Sequence, residues 1–141
     1  ALLIGRGGAG NVTRFFYNAT GSASQVGSIS ITSSSTAYNT SSDYRLKENV
    51  VDLTDALDRV DQLEPKRFNF IADEDTTVDG FLAHEVQDIV PEAVTGDKDA
   101  IDEDGNDIYQ GIDQSKLVPL LVGAIKELRA EVNSLKAQIN N

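Results

Sequence analysis

Seven apolar residues near the C-terminus, Val118, Leu121, Ile125, Leu128, Val132, Leu135 and Ile139, are spaced alternately three and four apart. On an α-helix that spacing draws one narrow apolar line, because it matches a heptad with Val118, Ile125, Val132 and Ile139 at a and the three leucines at d. So narrow a seam is buried only against other helices, and a coiled-coil-like helix is expected over about residues 116–139. Glu131 falls at g and Lys136 at the following e, the pairing that favours parallel neighbours in register. Pro119 sits near the start, where a missing N–H costs least. The competing reading is an amphipathic helix packed on its own domain. By the usual rule, β-branched a positions with leucine at d favour two strands over three.

Charge divides the rest of the chain. Residues 1–42 carry Arg6 and Arg14 as their only charged side chains, and all 23 Asp and Glu residues follow Ser42. The uncharged region holds fourteen Ser or Thr residues. Its apolar residues come in short β-favouring runs, Ala1-Leu2-Leu3-Ile4, Val12 to Tyr17 and Val26 to Ile31, the last alternating with period two. A segment this short cannot bury a core of its own, so its strands are expected to pair with other chains or with upstream sequence.

The acidic region reads as mixed structure. Thr54 is placed to cap a short helix over Asp55 to Leu63, stopped by Pro65. Lys66 to Phe70 alternates as a strand, Asp79-Gly80 reads as a turn, and Phe81 to Ala83 as a strand leading into a short helix ended by Pro91. Asp104-Gly105, between apolar residues, signals a hairpin.

Several chemistries are disfavoured. There is no cysteine and only one histidine, too few for a zinc site, and neither metal nor cofactor is expected. A formal net charge of -11 argues against nucleic acid and anionic lipid as partners. No stretch approaches the ~20 apolar residues of a membrane span. The chain has no methionine and reads as a segment of a larger soluble protein.

Gly5-Arg6-Gly7-Gly8-Ala9-Gly10 matches a dinucleotide-binding pattern, but β-favouring residues follow where a phosphate-binding helix should begin. The acidic cluster Asp97, Asp99, Asp102, Glu103, Asp104 and Asp107 invites a calcium reading, yet Gly105 is not at a calcium-loop sixth position and no glutamate closes at twelve. A solvated acidic hairpin is preferred. Tripeptides at Asn11, Asn18 and Asn39 fit a glycosylation acceptor, a pattern that Ser/Thr-rich sequence produces by chance.

Across the charge boundary lies Ser41-Ser42-Asp43-Tyr44-Arg45-Leu46-Lys47-Glu48. A lysine five residues after a serine serves as its base only when neutral, which takes burial or a nearby cation; Arg45 is such a candidate. Taken alone, the spacing fits a linker better than a catalytic pair.

Here the chain resembles the C-terminal intramolecular chaperone domains of phage endosialidases, tail fibres and neck appendages, classed as self-cleaving serine peptidases of the S74 type. The resemblance runs over about residues 38–139 and is carried by Ser42 to Asn49, Ala56-Leu57, Leu63 to Phe70, Gly80 to Gln87, Val90 to Val94, Gly96 to Ala100 and Leu117 to Leu128. It implies an α+β homotrimer with a β-rich stalk end (1–41), a small mixed α/β chaperone domain (42–141) and a coiled-coil-like C-terminal helix. It also implies cleavage between Ser41 and Ser42, with Ser42 as nucleophile, Lys47 as general base, and Asp43, Arg45, His84 and Glu85 as supporting candidates. Partners would be further copies of the chain and its own upstream fibre stalk. Assembly would take place in the host cytoplasm, the mature stalk would join the virion tail, and the chaperone would be released. Two rivals remain: a non-enzymatic trimerisation and attachment tip, and a calcium-dependent binding module.

Overall fold

The computed structural model describes residues 7–17 and 23–140. The expected strand over residues 1–4, and Gly5, Arg6 and Asn18, lie outside them. The chain divides into two compact units, Ala1–Val51 and Asp52–Asn141.

The first unit is a three-stranded antiparallel sheet, in order β1 (Gly10–Tyr17), β2 (Ser24–Ile31) and β3 (Thr36–Thr40). Two of the expected strands are therefore present, and a strand rather than a helix follows the glycine-rich run. The third, β3, escaped the sequence reading because its only apolar residues are Ala37 and Tyr38. It is turned back on β2 by Thr32, whose hydroxyl accepts from the N–H groups of Ser34 and Ser35, at 3.2 and 3.0 Å. Among the described residues of this unit only Ser28 is buried, while Phe15, Phe16, Tyr17 and Tyr38 stand exposed. The sheet thus has no apolar core of its own.

Among the described residues the core lies in the second unit: Ala56, Val86, Val90, Ala93, Val94, Leu117, Leu120 and Ala124. Around it are α1 (Ala56–Asp61), the hairpin of β4 (Lys66–Phe70) and β5 (Asp73–Gly80), α2 (Ala83–Gln87) and α3 (Leu117–Ile139). Four two-residue strands complete the unit: β6 (Val94–Thr95) pairs with β9 (Gly111–Ile112), and β7 (Ala100–Ile101) with β8 (Asp107–Ile108). Asp104-Gly105 does form the β7–β8 turn, with Gly105 at φ +83°. Asp79-Gly80 does not form a turn: both residues are in β5, opposite Arg67 and Lys66, and the chain reverses at Ile71-Ala72 instead. An Arg67–Asp79 ion pair at 2.7 Å holds that register, and the guanidinium keeps the Asp79 carboxyl below its ordinary range. Nor do Phe81 and Leu82 form a strand; Leu82 is the extended N-cap residue of α2.

The long helix α3 presents two apolar stripes. Leu117, Leu120 and Ala124 are buried in the core, whereas all seven heptad residues stay exposed, from 39% at Val132 to 82% at Ile139. At 3.6 residues per turn the centres of the two stripes lie about 75° apart. Packing on its own domain and offering a seam are therefore compatible, and the two readings of this helix were not true alternatives.

The α1–α3 contact has a specific basis. A Cβ at Gly123 would stand 2.7 Å from that of Ala56, so glycine in mid-helix lets the two backbones approach. That approach brings Glu127 to the N-terminus of α1, where its Oε1 and Oε2 accept from the N–H groups of Ala56 and Leu57 at 3.1 and 2.7 Å. Thr54 is not the cap: its hydroxyl donates to Asp55, and Asp55 itself is left-handed at φ 58° without a capping bond. Since Ala56 is 0% exposed, losing the acceptor would strand a buried donor. Glu127→Ala is expected to destabilise the second unit by about 1–3 kcal/mol, checked by urea unfolding. Glu127→Gln, which keeps one acceptor, should lose about half as much.

Candidate functional site

The expected site begins where the sheet ends. Ser41 is fastened to β2 twice, its N–H donating to Val26 O and its hydroxyl to Gln25 O, both at 3.0 Å. After Ser42 the chain enters a 3₁₀ turn, Tyr44–Leu46, with Asp43 at its N-cap. Asp43 Oδ1 accepts from Arg45 N–H at 2.9 Å, and the Arg45 guanidinium grips the same carboxylate at 2.9 and 2.8 Å. This pairing holds the Asp43 carboxyl below its ordinary range. The turn ends at Lys47, whose N–H donates to Tyr44 O at 3.1 Å. It carries Lys47 Nζ back to donate to Ser42 Oγ at 2.8 Å.

Serine and lysine are thus in contact, in surroundings that do not complete a catalytic site. For Lys47 to take the serine proton its amine must be neutral, which requires desolvation or an unneutralised cation nearby. Ser42 and Lys47 are both exposed, and Arg45 is engaged by Asp43.

His84 and Glu85 lie in the first turn of α2 in the second unit. His84 is half-buried in an open groove with Asp97, Asp99, Asp107 and Tyr109. Glu85 Oε2 is buried without a hydrogen bond and lies 3.5 Å from Lys66 Nζ. Lys66 is also paired with Glu64, which is the main reason its amine titrates above the ordinary lysine value.

The acidic hairpin is organised by one carboxylate. Asp102 Oδ1 accepts from the N–H groups of Asp104 and Asn106 at 2.9 and 2.8 Å, and the Asn106 amide donates to both of its oxygens. These bonds lower the Asp102 pKa, the Asn106 side chain foremost. Among the described residues no group of three or more His, Cys, Asp or Glu is placed to hold a metal ion. No helix among them is long and apolar enough to cross a membrane.

Sequence reasoning missed the anchoring of Ser41 by Gln25 and Val26, the capping by Glu127 and the Lys66–Glu85 pair. All three join residues far apart in the chain, and no local pattern marks them.

Residues 42–95 match the family model Peptidase_S74, described as "Chaperone of endosialidase". The chain is also similar to the Long tail fiber protein Gp37 of Enterobacteria phage K3 and to that of Enterobacteria phage T2, each 34% identical over 102 residues. That alignment takes in 70% of this chain but only 8% and 7% of those proteins. The chain therefore matches both the chaperone domain of this family and phage long tail fibre proteins, in agreement with the resemblance read from its residues.

Proposed function

We propose that this chain is an assembly module of a phage tail fibre, joining three copies through α3 and setting the register of the β-rich segment before it. The observation that carries this reading is the exposed heptad seam, seven apolar residues on one line of a helix already anchored to its own core by another stripe. Three tethered chains meet at high effective concentration, which lowers the entropic barrier to pairing long strands in register.

The finer reading adds self-release. Ser42 Oγ attacks the carbonyl carbon of Ser41 while Lys47 takes the hydroxyl proton and passes it to the departing α-amine of Ser42. The Ser41–Ser42 amide becomes an ester on Ser42 Oγ, and water hydrolyses it to a Ser41 carboxylate and a free Ser42 hydroxyl. The 2.8 Å Lys47–Ser42 contact supports this step, and so does a carbonyl side held by the sheet. Burial of the pair would have to come from assembly. The mature stalk would then stay in the virion tail and residues 42–141 would leave.

A specific observation favours the rival reading, a non-enzymatic trimerisation and attachment tip. In the single chain the pair is exposed, and Arg45, the candidate cation, is paired with Asp43. The intact mass of the chain expressed with upstream stalk decides between them. Self-release predicts a fragment beginning at Ser42, present in the parent and reduced at least ~100-fold in Ser42→Ala and Lys47→Ala, the lower range for losing a base. A parent that assembles but stays uncut leaves the attachment-tip reading in place.

A further inference from the structure

We infer that Asp43 is a positioning residue whose carboxylate builds the turn that sets Lys47 on Ser42, an inference that rests on the self-release reading. Five residues in extended chain span about 17 Å, so the contact exists only while the turn does. Packing does not hold the turn, because none of its residues is buried. It is held by two backbone bonds, Leu46 N–H to Asp43 O and Lys47 N–H to Tyr44 O, each 3.1 Å, and by the three bonds that the Asp43 side chain accepts. A three-residue 3₁₀ turn with two backbone bonds has little intrinsic stability, so the side chain decides its population. The bond from Arg45 N–H stops the backbone from unwinding at its first residue, and the guanidinium clamp fixes the carboxylate for that role. Asp43 touches neither the scissile carbonyl nor Ser42 Oγ in any of these bonds; it acts through Lys47.

Two readouts on the full chain, with upstream stalk attached, test this. Asp43→Ala should slow release at least tenfold, whereas Asp43→Asn, whose side-chain oxygen still accepts from Arg45 N–H, should stay within threefold of the parent. Rescue by asparagine is the signature of a capping role, since a residue needed for its charge would fail in both variants. Separately, the nuclear Overhauser contact between the Lys47 ε-methylene and the Ser42 β-methylene, measured in uncleaved protein, should disappear in Asp43→Ala and persist in Asp43→Asn. Equal release rates in the parent and Asp43→Ala, or a contact that survives in Asp43→Ala, would overturn the inference. If the parent does not cleave at all, the self-release reading falls, and the contact measurement still decides whether Asp43 holds Lys47 in place.

Discussion

A chain with Leu121 and Leu128 both replaced by aspartate is expected to remain folded and to fail to assemble. Both leucines are roughly half exposed in the single chain, at 44% and 49%, and neither belongs to the core cluster. Far-UV circular dichroism should therefore change little. In an assembled seam each half-exposed leucine would gain about half of the ~1.5–3 kcal/mol that full burial is worth, and two per copy give about 1.5–3 kcal/mol. Losing them weakens association by about 10- to 100-fold per copy before the cost of desolvating two carboxylates is counted. Sedimentation of the variant beside the parent reads this directly. An aspartate variant that assembles as the parent does would show that the seam is not the interface. Leu120→Asp is the informative contrast: Leu120 is only 3% exposed and packs in the core, so that change should unfold the second unit.

The second large effect is expected from Gly123→Ala, a substitution that helix propensity alone would call stabilising by about 1 kcal/mol. Here the added methyl would meet Ala56 Cβ at 2.7 Å and Leu53 Cδ2 at 3.3 Å. Overpacking of this kind costs about 1–3 kcal/mol. Separating α1 from α3 also weakens the Glu127 cap, whose bonds are worth about 1 kcal/mol or more. The net loss is expected at about 1–2 kcal/mol, a fall in Tm of about 5–15 °C for a unit of this size. Adding Ala56→Gly, which removes the opposing methyl, should recover part of the loss. An unchanged or raised Tm in Gly123→Ala would contradict the close α1–α3 approach.

These two predictions mark what could be read from the chain and what could not. The seam was legible because a heptad is a local, periodic signal, and the helix runs Leu117–Ile139, beside the expected 116–139. The two longer strands of the first unit and the Asp104-Gly105 hairpin were also legible from local signals, namely β-favouring runs, one of them alternating, and one glycine with positive φ. The close contact at Gly123 was not legible, since nothing near position 123 announces that residues 53 and 56 pack there. Thr54 looked like a cap because serine and threonine usually cap helices; a glutamate some seventy residues away does so instead. The Asp79-Gly80 reading failed because a turn-favouring pair can also sit in a strand when its partner strand holds it, here by the Arg67–Asp79 bridge. At the candidate site the sequence offered only a serine and a lysine five residues apart, and the turn that brings Ser42 and Lys47 to 2.8 Å and leaves them exposed is seen in the structure.

The most direct test of the account is native mass spectrometry of the chain at micromolar concentration, which reports how many copies associate. The account predicts a species of three copies, each the whole 15.2 kDa chain or the same chain cut between Ser41 and Ser42, lost in the Leu121→Asp, Leu128→Asp variant. A parent that stays a single 15.2 kDa chain across that concentration range would contradict it, for the exposed seam would then join nothing.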